Sequence, residues 1–141
     1  FIYSFAITLM AQPLAWFEAS NLPEQAASIA PLIHLYRQHE RALHAGWAFG
    51  IGDEPSCVGW TGFQCLNAPD AAYLQVLRDY NNAPTHAIQL GGLRGVTLKA
   101  EAVMGDATDF TAHVDDHGRI AVTLPRPLSF GLWKYRVEAT R

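Results

Sequence analysis

The hydrophobic period of this chain changes once, near Gly46, and that change restricts what it can fold into. Before it, Leu22, Ala26, Ile29, Ile33, Tyr36 and Leu43 recur at three- and four-residue steps, with Arg37, Gln38 and Arg41 between them. That is the stripe of an amphipathic helix. Beyond the change the helical pattern does not return. Val96, Leu98, Ala100, Ala102 and Met104 alternate with Thr97, Lys99 and Glu101. Phe110, Ala112 and Val114 repeat the alternation, as do Ile120, Val122 and Leu124, and then Trp133, Tyr135, Val137 and Ala139. A period of two places such residues on one face of a strand. Helix first and strands afterwards imply an α+β chain with an antiparallel sheet.

The punctuation supplies boundaries. Asn21 and Glu24 have the spacing of a capping box, Pro23 suits the first turn, and Gly46 suits the residue after the last turn. The pattern therefore predicts a helix over about residues 22 to 45, about 36 Å long. Ahead of it, FIYSFAITLM reads as a short buried helix ending before Pro13, and PLAWF, residues 13 to 17, as a strand covered on both faces. WAFGIGDEPS, with Gly50, Gly52 and Pro55, reads as a linker. The expected division is thus 1–52 and 53–141. Further strands near 57–66, 72–78 and 86–90 bring the expectation to about seven, arranged as an antiparallel β-sandwich. DDHG, residues 115 to 118, reads as a hairpin turn.

Half of the 141 residues are apolar and 16% are charged, which is a globular composition able to build a core. The net charge is −3 and the ten Lys and Arg are scattered. Such a chain lacks the basic footprint of a nucleic-acid or anionic-membrane binder, and a neutral partner fits it better. Ser4, Gln12 and Pro13 interrupt the apolar opening, so it reads as core, since a spanning helix needs about 20 mostly apolar residues.

Cys57 and Cys65 cannot make a tetrahedral metal site by themselves. In one straight strand they would lie about 26 Å apart, too far for a disulfide without a bend at Gly59 or Gly62. Two free thiols are the simpler reading, and they leave the cellular compartment open. His34, His39 and His44 are five apart, and each step turns about 140° around a helix, away from a common face. His113, Asp115, Asp116 and His117 are explained by turn chemistry. No metal and no cofactor is expected: nucleophile elbow, P-loop and dinucleotide fingerprints are absent, and Gly91, Gly92 and Gly95 punctuate strands.

Among carboxylates, Glu18 stands out, because it follows PLAWF at the end of a strand where a parallel barrel would open its active site. A solvated loop acid is the plainer alternative. Trp16, next to it, is the aromatic best placed to stack on a sugar, although large aromatics are more often core.

In this order, AITLMAQPL at 6 to 14, YRQHER at 36 to 41, Gly46, a Gly-rich link and an alternating tail resemble the C-terminal end of the α-galactosidase (melibiase) superfamily of glycoside hydrolases. The resemblance implies the last βα unit of a (β/α) barrel followed by an antiparallel β-sandwich, and a chain that is the end of a larger retaining enzyme. It also implies that the two catalytic carboxylates lie on earlier barrel strands, so no residue here is expected to be catalytic. Trp16, Glu18, Ser20 and Asn21 become candidates for contact with a carbohydrate bound by the parent enzyme. Residues 1 to 45 are then expected either to pack onto the sandwich or to join copies into an oligomer, since a lone βα unit leaves apolar faces uncovered. Two alternatives stay open: a stand-alone carbohydrate-binding sandwich, for which Trp133 and Tyr135 share a face, and a purely structural or assembly module.

Overall fold

The computed structural model describes residues 1–13, 21–67 and 71–138. Helix α1 (Ile2–Ile7) opens the chain and a 3-10 turn, Leu9–Ala11, follows it before Pro13. A second 3-10 segment, Glu24–Ile29, leads into α2 (Ala30–Leu43). Then come β1 (Trp47–Gly52), β2 (Trp60–Asn67), β3 (Ala71–Arg78), β4 (Thr85–Gln89), β5 (Thr97–Gly105), β6 (Phe110–His113), β7 (Arg119–Thr123) and β8 (Ser129–Glu138). The chain is α+β, and every strand pairing among the described residues is antiparallel. No helix among these residues is long and apolar enough to cross a membrane.

Six strands form one sheet in the order β1-β2-β3-β8-β5-β6, and β4 pairs with β7 as a separate ribbon. Alternation explains how three layers arise. On one face of the sheet, Trp60, Leu74, Leu98, Trp133 and Tyr135 meet Ile88, Ile120 and Val122 of the ribbon in a shared core. On the other face, Cys65, Tyr73, Leu77, Met104, Phe130 and Leu132 meet Ala6, Leu9, Tyr36 and Leu43 of the helical segments. The described residues of the helical segments, within 1–13 and 21–43, therefore pack onto the sheet, the first of the two outcomes expected for residues 1 to 45.

Several expectations are corrected. The helix does not run from 22 to 45. Pro31 sits in the first turn of α2, has no N–H to donate and would crowd the carbonyl four residues earlier, so the α-helix begins only at Ala30. The preceding residues take 3-10 bonding instead, with Ala26 N–H donating to Pro23 O at 2.9 Å. Asn21 and Glu24 do not form the capping box: Pro23 is the N-cap of the Glu24–Ile29 segment, and no side-chain cap bond is made. Among the described residues there are eight strands rather than about seven, because WAFGIG is a strand and not a linker. Its Phe49 and Ile51 alternate with Ala48, Gly50 and Gly52, and it pairs with β2 over its full length. The turn at DDHG is not a hairpin: β6 pairs with β5 while β7 pairs with β4, so residues 115 to 118 carry the chain from one layer to the other. The strand expected over PLAWF falls at residues 13 to 17, of which 14 to 17 lie outside the described residues.

Side chains of β2 finish the end of α2. Asn67 Nδ2 donates to Ala42 O at 2.6 Å and Cys65 Sγ to Leu43 O at 3.2 Å, which satisfies carbonyls that a helix terminus leaves without partners. Gly46 is required at the turn that follows, since a Cβ there would stand 1.8 Å from Asn67 Oδ1 and 2.5 Å from Leu66 O.

Candidate functional site

A concavity on the helical face lies between α1 and the β1 end of the sheet. It encloses about 640 Å³ and is floored by Gly50, Gly52, Thr61 and Phe63, with Tyr3 and Ile7 of α1 as one wall. That volume is in the range of small-ligand sites. The loop after β1 supplies Asp53, Glu54 and Cys57, and the residue after β3 supplies Asp79. Among the described residues, the lining contains three carboxylates and no Lys, Arg or His.

Two of these acids already have partners. The Tyr3 hydroxyl donates to Asp79. Burial, and then this bond to Asp79, push the Tyr3 phenol well above the ordinary tyrosine range, so it remains a donor. Asp53 Oδ2 accepts the Trp60 backbone N–H at 2.8 Å, while its Oδ1 lies 3.3 Å from His86 Nε2. His86 stacks on Trp60 with ring centroids 5.8 Å apart and an angle of 15°. Arg78 lies over the same indole at 5.6 Å. Although only 3% exposed, Arg78 is satisfied by backbone oxygens: Nε and Nη2 donate to Asn81 O, and Nη1 donates to Leu124 O. Asp53 thus ties the β1–β2 loop to the ribbon layer, and Arg78 ties the end of β3 to the residue that follows β7.

The residues singled out from sequence do not assemble here. Trp16, Glu18 and Ser20 lie outside the described residues, and Asn21 is exposed at the start of the next described segment. Trp133 and Tyr135 share a face, as their spacing requires, but that face is the ribbon core, where they are 2% and 3% exposed. They offer no open aromatic row. The helix histidines each have a different partner: His34 pairs with Gln38, His39 with the Tyr73 hydroxyl and His44 with the Tyr36 hydroxyl. Asp115 Oδ1 accepts the N–H groups of Arg119 and His117, which hold its carboxyl below the usual range, so its role is to shape the turn. No cluster of three metal-ligating side chains occurs among the described residues. Cys57 is exposed and Cys65 buried, both as free thiols.

Sequence reasoning missed the cleft because its parts come from residues 3, 50–54, 63 and 79, which no local motif links. The one available signal was a glycine in the middle of an alternating run, Phe49-Gly50-Ile51, which marks a strand that something approaches closely. No family model, curated protein or solved structure matches this chain.

Proposed function

We propose that this chain is the C-terminal portion of an α-galactosidase-like retaining glycoside hydrolase, a supporting module that is not catalytic alone. In this reading residues 1–52 are the terminal βα portion of the barrel, whose last six residues join the sheet as β1, and residues 53–141 are the β-sandwich beside it. The observation that carries it is the joint core of the helical segment and the sheet. Tyr36, from the YRQHER motif, is 6% exposed within that core, and Gly46 fits against β2 where no side chain would. The motif residues thus have the job that a last barrel helix docked on a following β-module would need. The outward side of the helical layer also supports the reading. Phe1, Phe5, Ile29 and Ile33 line a groove of about 810 Å³ between α1 and the later helical segment, apolar surface that a neighbouring barrel element would cover. Catalysis would belong to a carboxylate pair on earlier strands, one acting as nucleophile and the other as acid/base. Trp16, Glu18 and Asn21 remain the candidates for contact with the bound sugar.

The test is the coding sequence upstream in the source DNA, over about 300 residues, enough for the rest of a barrel of typical size. Repeated βα units with Asp at strand ends are expected. A stop codon or an unrelated gene directly upstream would sink the proposal. The second reading, a stand-alone binding or assembly β-module, draws its support from the cleft beside β1 rather than from Trp133 and Tyr135.

A further inference from the structure

We propose that β1 and the cleft beside it form a strand-addition site for an extended segment of another polypeptide carrying lysine or arginine at alternate positions. The inference goes beyond the functional reading above and is independent of it.

Among the described residues β1 makes ladder bonds to β2 alone, with β4 packed beside it from the ribbon layer. Asp53 N–H donates to Trp60 O at 2.7 Å, which sets the phase of the β1–β2 ladder. Stepping back by two along the observed register, Ile51, Phe49 and Trp47 exchange hydrogen bonds with β2, so Ala48 and Gly50 turn their N–H and C=O groups away from the sheet. β1 is a terminal strand of its sheet. Its six residues, WAFGIG, include none of the charges or prolines by which edge strands repel a newcomer.

Gly50 supplies the second observation. Gly52 has φ +86° and Gly46 has no room for a side chain, so this chain's own fold accounts for both. Gly50 has neither reason: its φ is not positive, and a Cβ there would meet nothing within 4 Å. A mid-strand glycine costs stability and is commonly kept where another backbone or a ligand approaches. Ile51 packs toward the ribbon core and Phe49 approaches Gly91, so Gly50, between them, faces the cleft with Tyr3 and Ile7. Alternate side chains of an added strand would fall over this bare position and into the cavity.

Charge selects the occupant. Asp53, Glu54 and Asp79 border a cavity whose described lining holds no Lys, Arg or His; Asp53 faces His86 and Asp79 accepts from Tyr3, but the border stays acidic, with Glu54 its most available carboxylate, so a segment with Lys or Arg on the cleft face is complementary and an acidic one is repelled. A second copy of β1 fits less well, because WAFGIG brings no cation. Strand addition draws affinity from main-chain bonds and specificity from pockets for alternate side chains, and both parts are present here.

The probes are a capped ten-residue peptide alternating valine and lysine, its valine-glutamate twin, and a valine-lysine twin N-methylated on one backbone edge. They are titrated against the full chain by calorimetry. The lysine peptide is expected to bind, the glutamate twin not to bind, and N-methylation on the pairing edge to abolish binding. Gly50→Val should weaken binding by at least about ten-fold while leaving the melting temperature unchanged or higher, since its side chain enters open space. Glu54→Gln, a surface change, should weaken the lysine peptide without creating affinity for the glutamate one. The proposal is overturned by an absence of binding at millimolar peptide, by equal affinity for both charge types, or by insensitivity to Gly50→Val and N-methylation. Sedimentation revealing a dimer that Gly50→Val dissociates would assign the edge to a second copy and overturn it as well.

Discussion

The two faces of the six-stranded sheet are held by different means. Toward the ribbon, contact is chiefly apolar interlocking around Trp60, Trp133, Ile88 and Val122; Gln64 is satisfied by Tyr135 and both backbone groups of Gly91, and the directional ties across the layers, Arg78 to Leu124 O and Asp53 to His86, gather beside Trp60. Toward the helices, the apolar set is threaded with directional ties. Gln75 donates to Ala6 O, Asn67 to Ala42 O and Cys65 to Leu43 O, while His39 meets Tyr73 and Tyr3 meets Asp79. Apolar burial is roughly proportional to area and tolerates sliding, whereas hydrogen bonds between named groups fix a register. The ribbon face supplies stability, and the helical face supplies a specific pose for residues 1–13 and 21–43.

Mutations can break this contrast or sharpen it. The largest effect is expected from Trp133→Ala, which empties the ribbon core and removes the bond from its indole N–H to Thr108 O. It should cost about 3–5 kcal/mol, and urea unfolding followed by far-UV and near-UV circular dichroism should shift as one transition. Asn67→Ala removes the shorter of the two bonds to Ala42 O, leaving only the Ala45 N–H at 3.4 Å, and should cost about 1 kcal/mol. Here the loss should concentrate in α2, read as faster amide exchange over residues 30–43 than in β5 and β8. An equal change in both layers would erase the distinction.

A smaller, pH-dependent difference follows from His39. Burial, and then the Lys134 ammonium, hold its pKa below the ordinary 6.5, so the folded protein binds this proton less readily than the unfolded chain does. Its contribution is complete above that ordinary value and is lost as pH falls through the lower folded value. Thermal unfolding between about pH 7 and pH 5 should decline less steeply in His39→Gln than in the parent. The smallest effect belongs to Trp47→Ser. Trp47 is 84% exposed on β1, and its replacement should change stability by no more than about 0.5 kcal/mol. A larger loss would mean that this indole is covered in solution.

The ribbon face was legible in the sequence because alternation maps directly onto burial. Leu98 and Ala100, Ile120 and Val122, and Trp133 and Tyr135 all turned inward as their spacing implied. The helical face was less legible. Pro31 shortened the helix against a continuous apolar stripe, which shows backbone chemistry prevailing over periodicity. β1 was hidden because Gly50 and Gly52 carry the signature of a linker, and only tertiary pairing with β2 resolves that ambiguity. Which strands share a sheet was not legible either: the turn at 115–118 has hairpin residues yet joins two layers, a choice made by distant partners. The cleft needed residues from four separate segments, and no local rule connects Tyr3 with Asp79.

The central claim is that the helical residues 1–13 and 21–43 and the sheet form one body through the helical-face core. Native-state hydrogen exchange of the full chain, followed residue by residue with increasing denaturant, tests it most directly. The account predicts that amides of α2 merge with those of β2, β3 and β8 into a common opening reaction. Exchange of α2 amides at the rate of an unprotected peptide, with the sheet still fully protected, would contradict it.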